Sequence, residues 1–106
     1  MPLTRGFRDP LDLSDHFRKH GGPLGIADES AYAEQADNFL ARSRESGVYE
    51  FRRPWNNDRV RYDPTTQEFG VLDADGYIKT YYKPNPARHG FRTNQEYFEY
   101  ERSRAS

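Results

Sequence analysis

Two histidines lie four residues apart near the start of the chain, in the segment His16-Phe17-Arg18-Lys19-His20. On a helix this spacing places both rings on one face, and histidine transfers protons near neutral pH. The pair has a metal-binding spacing, but no Glu follows the first histidine and two cations lie between the rings, so no metal site is predicted. Two hydrogen-bonded histidines packed in a core would give the same pattern, and this alternative stays open.

Cations and aromatic rings are mixed in residues 77–82, where Lys79 and Thr80 lie between tyrosines and Lys83 follows. This mixture is typical of sites for single-stranded RNA, because cations bind phosphates and flat rings stack on bases. Arg59 and Arg61 are candidates for a neighbouring strand. An aromatic sheet face with lysines at its edges explains the segment equally well.

The same segment presents a geometric difficulty for a site that uses both Lys79 and Thr80. Strand alternation places Thr80 with Ile78 on one face and Lys79 on the other. The two side chains therefore reach one substrate only if the strand twists or bulges.

Several other chemistries are excluded by residue types. The chain has no Cys, which rules out disulfide scaffolds, zinc ribbons and thiol nucleophiles. It contains no Gly-x-Ser-x-Gly segment around a serine nucleophile and no glycine loop that opens a helix and binds phosphate. Hydrolysis through a serine and nucleotide binding through a glycine loop are therefore not predicted.

Composition limits the size and setting of the fold. The 106 residues, of which 34% are hydrophobic and 31% charged, predict one domain over 1–106 with a small core rich in aromatic rings. A net charge of −1 argues against a nucleic-acid-binding protein, yet residues 77–106 hold six basic and three acidic side chains. No apolar run is long enough to span a membrane, and residues 1–10 are expected to form a flexible tail rather than a signal peptide.

The pattern of elements predicts an α+β fold. A first helix starts after Pro10 and ends at Gly21-Gly22, where glycine suits a left-handed cap, and a second helix is capped by Asp28. Short turns then require antiparallel neighbours in a sheet of about four strands. A short C-terminal helix begins at the capping box that Thr93 opens. The predicted strands are 48–53, 59–63, 68–72 and 77–82, followed by an irregular segment over 83–92.

Five segments over about residues 13–98 resemble one protein family. They are His16-Phe17-Arg18-Lys19-His20-Gly21, 32–39, 60–72, 75–84 and Tyr97-Phe98. In order and spacing they are similar to the C-terminal toxin domains of bacterial contact-dependent inhibition and other polymorphic toxin systems. These domains belong to the barnase–EndoU–colicin–RelE-like group of ribonucleases.

The resemblance implies a fold and an activity. The fold would be two helices packed on a twisted antiparallel sheet whose exposed face binds RNA. The activity would be that of an endoribonuclease without metal or cofactor, often acting on tRNA, in which the RNA 2′-hydroxyl attacks the phosphate. The toxin would be delivered as part of a larger secreted or cell-surface protein. It would act in the cytoplasm of the target bacterium, and an immunity protein would neutralise it in the producing cell.

The resemblance also assigns residues. His20 matches the catalytic histidine, Thr80 matches an active-site position on the sheet, and Lys79 is expected to stabilise charge on the phosphate. Expected contacts with the substrate come from four further residues: His16, Arg61, Tyr82 and Lys83. An acidic inhibitor would cover the basic residues Arg61, Lys79, Lys83 and Arg88. A non-catalytic α+β module that binds another protein is the alternative function.

Overall fold

A computed structural model describes residues 4–41 and 47–105 and confirms the α+β class. Two helices precede four strands, and a single-turn helix and a longer helix follow them. Their bounds are α1 Pro10–His20, α2 Glu29–Ala41, β1 Tyr49–Arg52, β2 Arg59–Asp63, β3 Glu68–Leu72, β4 Ile78–Tyr82, α3 Pro86–His89 and α4 Asn94–Ala105. The segment predicted as irregular over 83–92 therefore contains one helical turn.

Side-chain caps explain where the long helices begin. The Asp28 carboxylate accepts a hydrogen bond from the backbone N–H of Ala31 at 2.8 Å, as predicted for the start of α2. The Thr93 hydroxyl accepts from the backbone N–H of Glu96 at 3.0 Å at the start of α4. These local bonds satisfy N–H groups that have no partner within the helix.

The end of α1 differs from the predicted cap. Gly21 has φ −64°, a right-handed conformation, so the prediction of a left-handed cap is wrong. A Cβ atom at Gly21 would lie 2.7 Å from the ring of Phe17. Close packing against this ring, rather than a positive φ, therefore accounts for the glycine.

The four strands form an antiparallel sheet in the order β1-β2-β3-β4, with each strand beside the next in the chain. The Asp75-Gly76 turn joins β3 to β4, and Gly76 has φ +92°, which glycine adopts without strain. Short turns give this meander because they leave no length for a crossover.

A bulge interrupts the pairing of β3 with β4. Val71 lies opposite Thr80, but Leu72 lies opposite Ile78, so Lys79 is an additional residue on β4. Simple alternation therefore fails at this point, and Thr80 does not share a face with Ile78. The bulge brings Lys79 and Thr80 to the same depression of the surface.

Helices cover both faces of the sheet. On one face α1 and α2 bury a cluster that includes Phe39, Leu40 and Tyr81. On the other face Phe98 of α4 packs against Val60, Tyr62, Phe69 and Val71. The face that the resemblance implies to be exposed is therefore partly covered by α4.

The first residues of the chain pair with the sheet. Ile78 donates its backbone N–H to Gly6 at 2.8 Å, and Phe7 forms a parallel bridge with Ile78. Thr4 donates to the carboxylate of Asp37 at 2.7 Å. Residues 4–9 are therefore not the flexible tail that the sequence predicts, while residues 1–3 lie outside the described residues. Within the described ranges, none of the helices has the length and apolar character that a bilayer span requires.

Candidate active site

A cleft of about 790 Å³ opens where four parts of the fold meet. These parts are the end of α1, the end of β4, the segment that carries α3, and the start of α4. Three cations line it, Lys19, Lys83 and Arg88, together with the rings of His20 and His89. None of the described residues that line this cleft is Asp or Glu. We call it the histidine cleft; its charge suits an anion such as phosphate.

His20 is the last residue of α1, and its ring lies against the ring of Tyr82 with centroids 5.0 Å apart. Burial lowers the pKa of His20 below 6.5, and the nearby charges of His16, Lys19 and Arg88 lower it further. At pH 7 the imidazole is therefore largely neutral. A neutral imidazole facing a cationic cleft can accept a proton from a bound hydroxyl group.

His16 lies behind His20 rather than in the histidine cleft. Its ring centroid is 5.7 Å from that of His20 and 5.4 Å from that of Phe7, and its side chain is 19% exposed. The Nε2 atom lies 3.5 Å from the carboxylate of Asp12, and the buried Nδ1 atom has no hydrogen-bond partner among the described residues. The expected contact of His16 with substrate is thus not supported, because His16 does not line the cleft.

His89 forms the opposite side of the histidine cleft and is held by two hydrogen bonds. Its Nδ1 accepts from the backbone N–H of Phe91 at 3.1 Å, and its Nε2 lies 2.9 Å from Oδ1 of Asn94. The NH₂ group of Asn94 donates to Gln67 at 2.7 Å, so the other atom of this amide, Oδ1, is an acceptor. Nε2 of His89 is therefore the donor in its contact with Asn94. The ring also stacks on Tyr97, with centroids 4.5 Å apart. Both ring nitrogens of His89 therefore already take part in hydrogen bonds within the protein.

Lys79 and Thr80 line a separate depression of about 360 Å³, which we call the lysine depression. Arg53 also lines it, and the Lys79 ammonium lies 2.8 Å from the carboxylate of Asp58. Tyr82 and Tyr97 line both this depression and the histidine cleft.

The hydroxyls of Tyr82 and Tyr97 are 3.2 Å apart, so this tyrosine pair forms a shared boundary. The structure therefore brings Tyr82 and Lys83 together with His20, and it places Lys79 and Thr80 on the other side of the tyrosine pair.

Arg61 does not face either site. Its side chain is 3% exposed and lies on the face of the sheet that α2 covers. The guanidinium donates to the backbone oxygen of Phe39 at 2.7 Å and to the carboxylate of Glu50 at 2.8 Å. The expectation that Arg61 contacts substrate or an inhibitor is therefore wrong. Arg61 lies opposite Gly70 on β3, where the side chain of Leu40 from α2 packs closely against the sheet.

Four residues of these sites are not predicted from the sequence to act on the substrate: Lys19, Arg53, Arg88 and His89. Of these, Arg88 is expected only as part of the surface that an inhibitor covers. Lys19 lies inside the histidine segment, where it was considered only as a cation that disfavours metal binding. Arg88 and His89 are brought to the cleft by α3, which the Pro- and Gly-rich segment did not predict. Among the described residues, no three His, Asp or Glu side chains are grouped so that they could hold a metal ion.

Comparison with known proteins adds one finding on the fold. No protein-family model matches the sequence, and no curated protein sequence matches it. Among solved structures, the chain is similar to a ribonuclease from Escherichia coli that was solved in complex with its inhibitor protein. The TM-score is 0.56 and the identity 19%, and the match covers 79% of this chain and 95% of that chain. The chain therefore shares the fold of this ribonuclease.

Proposed function

We propose that this protein is an endoribonuclease whose reacting phosphate binds in the histidine cleft. The observation that carries the proposal is the contact of His20 with Tyr82 in a cleft with three cations and no carboxylate among its described lining residues. Such a cleft combines a proton acceptor with groups that attract phosphate and with a ring that can stack on a base. The fold shared with a ribonuclease supports the same conclusion.

The chemistry needs few groups from the protein, because RNA carries its own nucleophile. His20 accepts the proton of the 2′-hydroxyl while the 2′-oxygen bonds to phosphorus and the bond to the 5′-oxygen breaks. The leaving 5′-oxygen takes a proton from water in the open cleft. The products are a 2′,3′-cyclic phosphate and a 5′-hydroxyl. Lys83 and Arg88 stabilise the negative charge that increases on the phosphate during the reaction, whereas the Lys19 ammonium is already paired with Asp15 at 2.9 Å.

The roles of Lys79 and Thr80 follow from the position of the lysine depression. Both side chains lie beyond the tyrosine pair, and the Lys79 ammonium is already paired with Asp58. We therefore assign them to holding the RNA beside the reacting phosphate, whereas proton transfer belongs to His20. The proposed substrate is tRNA, which rests on the resemblance of the sequence to toxin ribonucleases.

We further propose that the ribonuclease is a toxin of bacterial competition that is carried into target cells by a larger protein. An immunity protein would protect the producing cell by binding over the histidine cleft. Lys83 and Arg88 are two cations at the cleft that an acidic inhibitor would meet. The complex of the structurally similar ribonuclease with its inhibitor protein supports a partner of this kind.

Incubation of the purified protein with total RNA and with tRNA in EDTA tests the activity. We expect discrete fragments that end in cyclic phosphate, and a loss of about 10²–10⁴ in rate for His20→Ala. Arg102→Ala is the control, because Arg102 is an exposed residue of α4 whose guanidinium pairs with Glu99. Circular dichroism of each variant checks that the fold is retained.

Three outcomes would contradict the proposal or part of it. Activity that disappears in EDTA and returns with a divalent ion would exclude the metal-free mechanism. Full activity in a folded His20→Ala variant would exclude His20 as the proton acceptor. No cleavage of any RNA, together with harmless expression in bacteria, would favour a non-catalytic module that binds another protein.

A further inference from the structure

We propose that the lysine depression binds the nucleotide next to the one whose phosphate is cleaved, an inference that rests on the proposed ribonuclease function. Two cations, Arg53 and Lys79, and the hydroxyl-bearing Thr80 line it together with aromatic rings. Cations, a hydroxyl and rings in one small depression suit a ribonucleotide with its phosphate. The argument rests on charge, on the rings and on how firmly the cations are held.

The charge of the depression is positive even after internal pairing. The Asp58 carboxylate lies 2.8 Å from the ammonium of Lys79 and 3.2 Å from the guanidinium of Arg53. One carboxylate thus faces two cations, which leaves one positive charge in excess. The Lys79 side chain is 46% exposed whereas that of Asp58 is 3% exposed, so Lys79 is the accessible member of this pair. On its other side Lys79 borders a cleft lined by Asp12, Asp73 and Asp75, so a phosphate would approach from the side of Thr80.

The cations are held in place before any ligand binds. Asp58 accepts from the side-chain amide of Asn56 at 3.0 Å, and its backbone N–H donates to Asn56 at 3.0 Å. The backbone N–H of Arg53 donates to the backbone oxygen of Asp58 at 2.8 Å. A charged group positioned in this way loses less side-chain entropy when it binds a phosphate.

Aromatic rings complete the depression and connect it to the histidine cleft. The ring of Phe69 lies 5.3 Å from that of Tyr82 and 5.5 Å from that of Tyr97. Because the tyrosine pair borders both sites, an RNA strand that crosses it places successive nucleotides on its two sides. Stacking on rings tolerates any base, so this site is expected to add affinity rather than sequence specificity.

Substrates of two lengths test the inference. A dinucleotide carries only the reacting phosphate, whereas a hexanucleotide also places phosphates in the lysine depression. We expect Arg53→Gln to lower kcat/KM on the hexanucleotide by about tenfold and on the dinucleotide by less than about threefold, since a lost phosphate contact removes a charge-assisted hydrogen bond. Arg53→Lys keeps the charge and should retain most of the activity. Arg102→Gln is the matched control, because it also removes a guanidinium that pairs with a carboxylate.

Binding of a hexanucleotide with 2′-O-methyl groups gives a readout that needs no cleavage, because the nucleophile is blocked. Fluorescence anisotropy at several salt concentrations measures the slope of log K against the logarithm of the salt concentration. Arg53→Gln should reduce this slope by about the amount that one phosphate contact contributes. Equal losses on both substrates, or an unchanged salt dependence in a variant that melts normally, would overturn the inference. If the wild-type protein cleaves no RNA, the proposed function fails. The salt series then still decides whether the depression binds a nucleotide.

Discussion

The ring of His20 at the end of α1 lies against the ring of Tyr82 at the end of β4, with centroids 5.0 Å apart. This contact joins the proposed proton acceptor to the tyrosine pair that separates the two sites. Burial and the hydrogen bond to Tyr97 raise the pKa of Tyr82, so its phenol keeps its proton at any pH at which the enzyme would work. Tyr82 is therefore suited to stacking and to donating a hydrogen bond.

Two substitutions of Tyr82 separate the role of its ring from that of its hydroxyl. Tyr82→Phe removes the 3.2 Å contact with Tyr97, and we expect it to cost about 0.5–1.5 kcal/mol of unfolding free energy with little loss of cleavage. Tyr82→Leu removes the ring, and we expect kcat/KM to fall by about tenfold or more, because base stacking contributes about 1–3 kcal/mol. Denaturant unfolding and initial rates measure both effects. Equal losses of kcat/KM would assign the function to the hydroxyl.

The pH dependence of cleavage should follow His20. Only the neutral imidazole accepts a proton, so the rate should rise with pH through the pKa of His20, which lies below 6.5. His16→Asn removes a neighbouring ring whose electrostatic effect lowers this pKa, so the pKa of His20 should rise and the acidic limb of the profile should move to higher pH. Rates of wild type and variant from pH 4 to pH 8 measure the shift. An acidic limb that does not move would show that His16 does not affect the pKa of the group that accepts the proton.

Arg61 should contribute to stability and not to RNA binding. Arg61→Met retains much of the apolar length but removes the donor that pairs with the buried backbone oxygen of Phe39. We expect a loss of about 1–3 kcal/mol in unfolding free energy, because the substitution removes the hydrogen bonds that the buried Arg61 side chain donates to Phe39 and Glu50. Cleavage by the folded variant should match that of wild type. Weaker RNA binding at unchanged stability would instead show that Arg61 contacts the substrate.

Adjacent glycines at the end of α1 offer a matched pair. A Cβ at Gly21 would lie 2.7 Å from the Phe17 ring, whereas a Cβ at Gly22 would have no atom within 4 Å. We expect Gly21→Ala to cost about 1–3 kcal/mol of unfolding free energy and to displace His20, which would reduce cleavage. Gly22→Ala should leave both nearly unchanged. Similar effects of the two substitutions would show that the Phe17 ring moves aside without cost.

The order of the elements and most of their limits could be predicted from local signals. Asp28 and Thr93 begin helices because each side chain accepts a backbone N–H three residues later. The Asp75-Gly76 turn joins neighbouring strands because its backbone geometry requires a glycine. These interactions involve residues that are close in sequence, and they can therefore be predicted without knowledge of the fold.

The composition of the sites was decided by contacts between distant segments. The bulge that brings Lys79 and Thr80 to one depression depends on pairing with β3, which alternation along β4 alone does not reveal. Arg61 is buried because α2 crosses its face of the sheet and supplies the oxygen of Phe39. Arg88 and His89 reach the histidine cleft through α3. In each case the side chain's role depends on which distant element packs against it, and tertiary packing alone determines that.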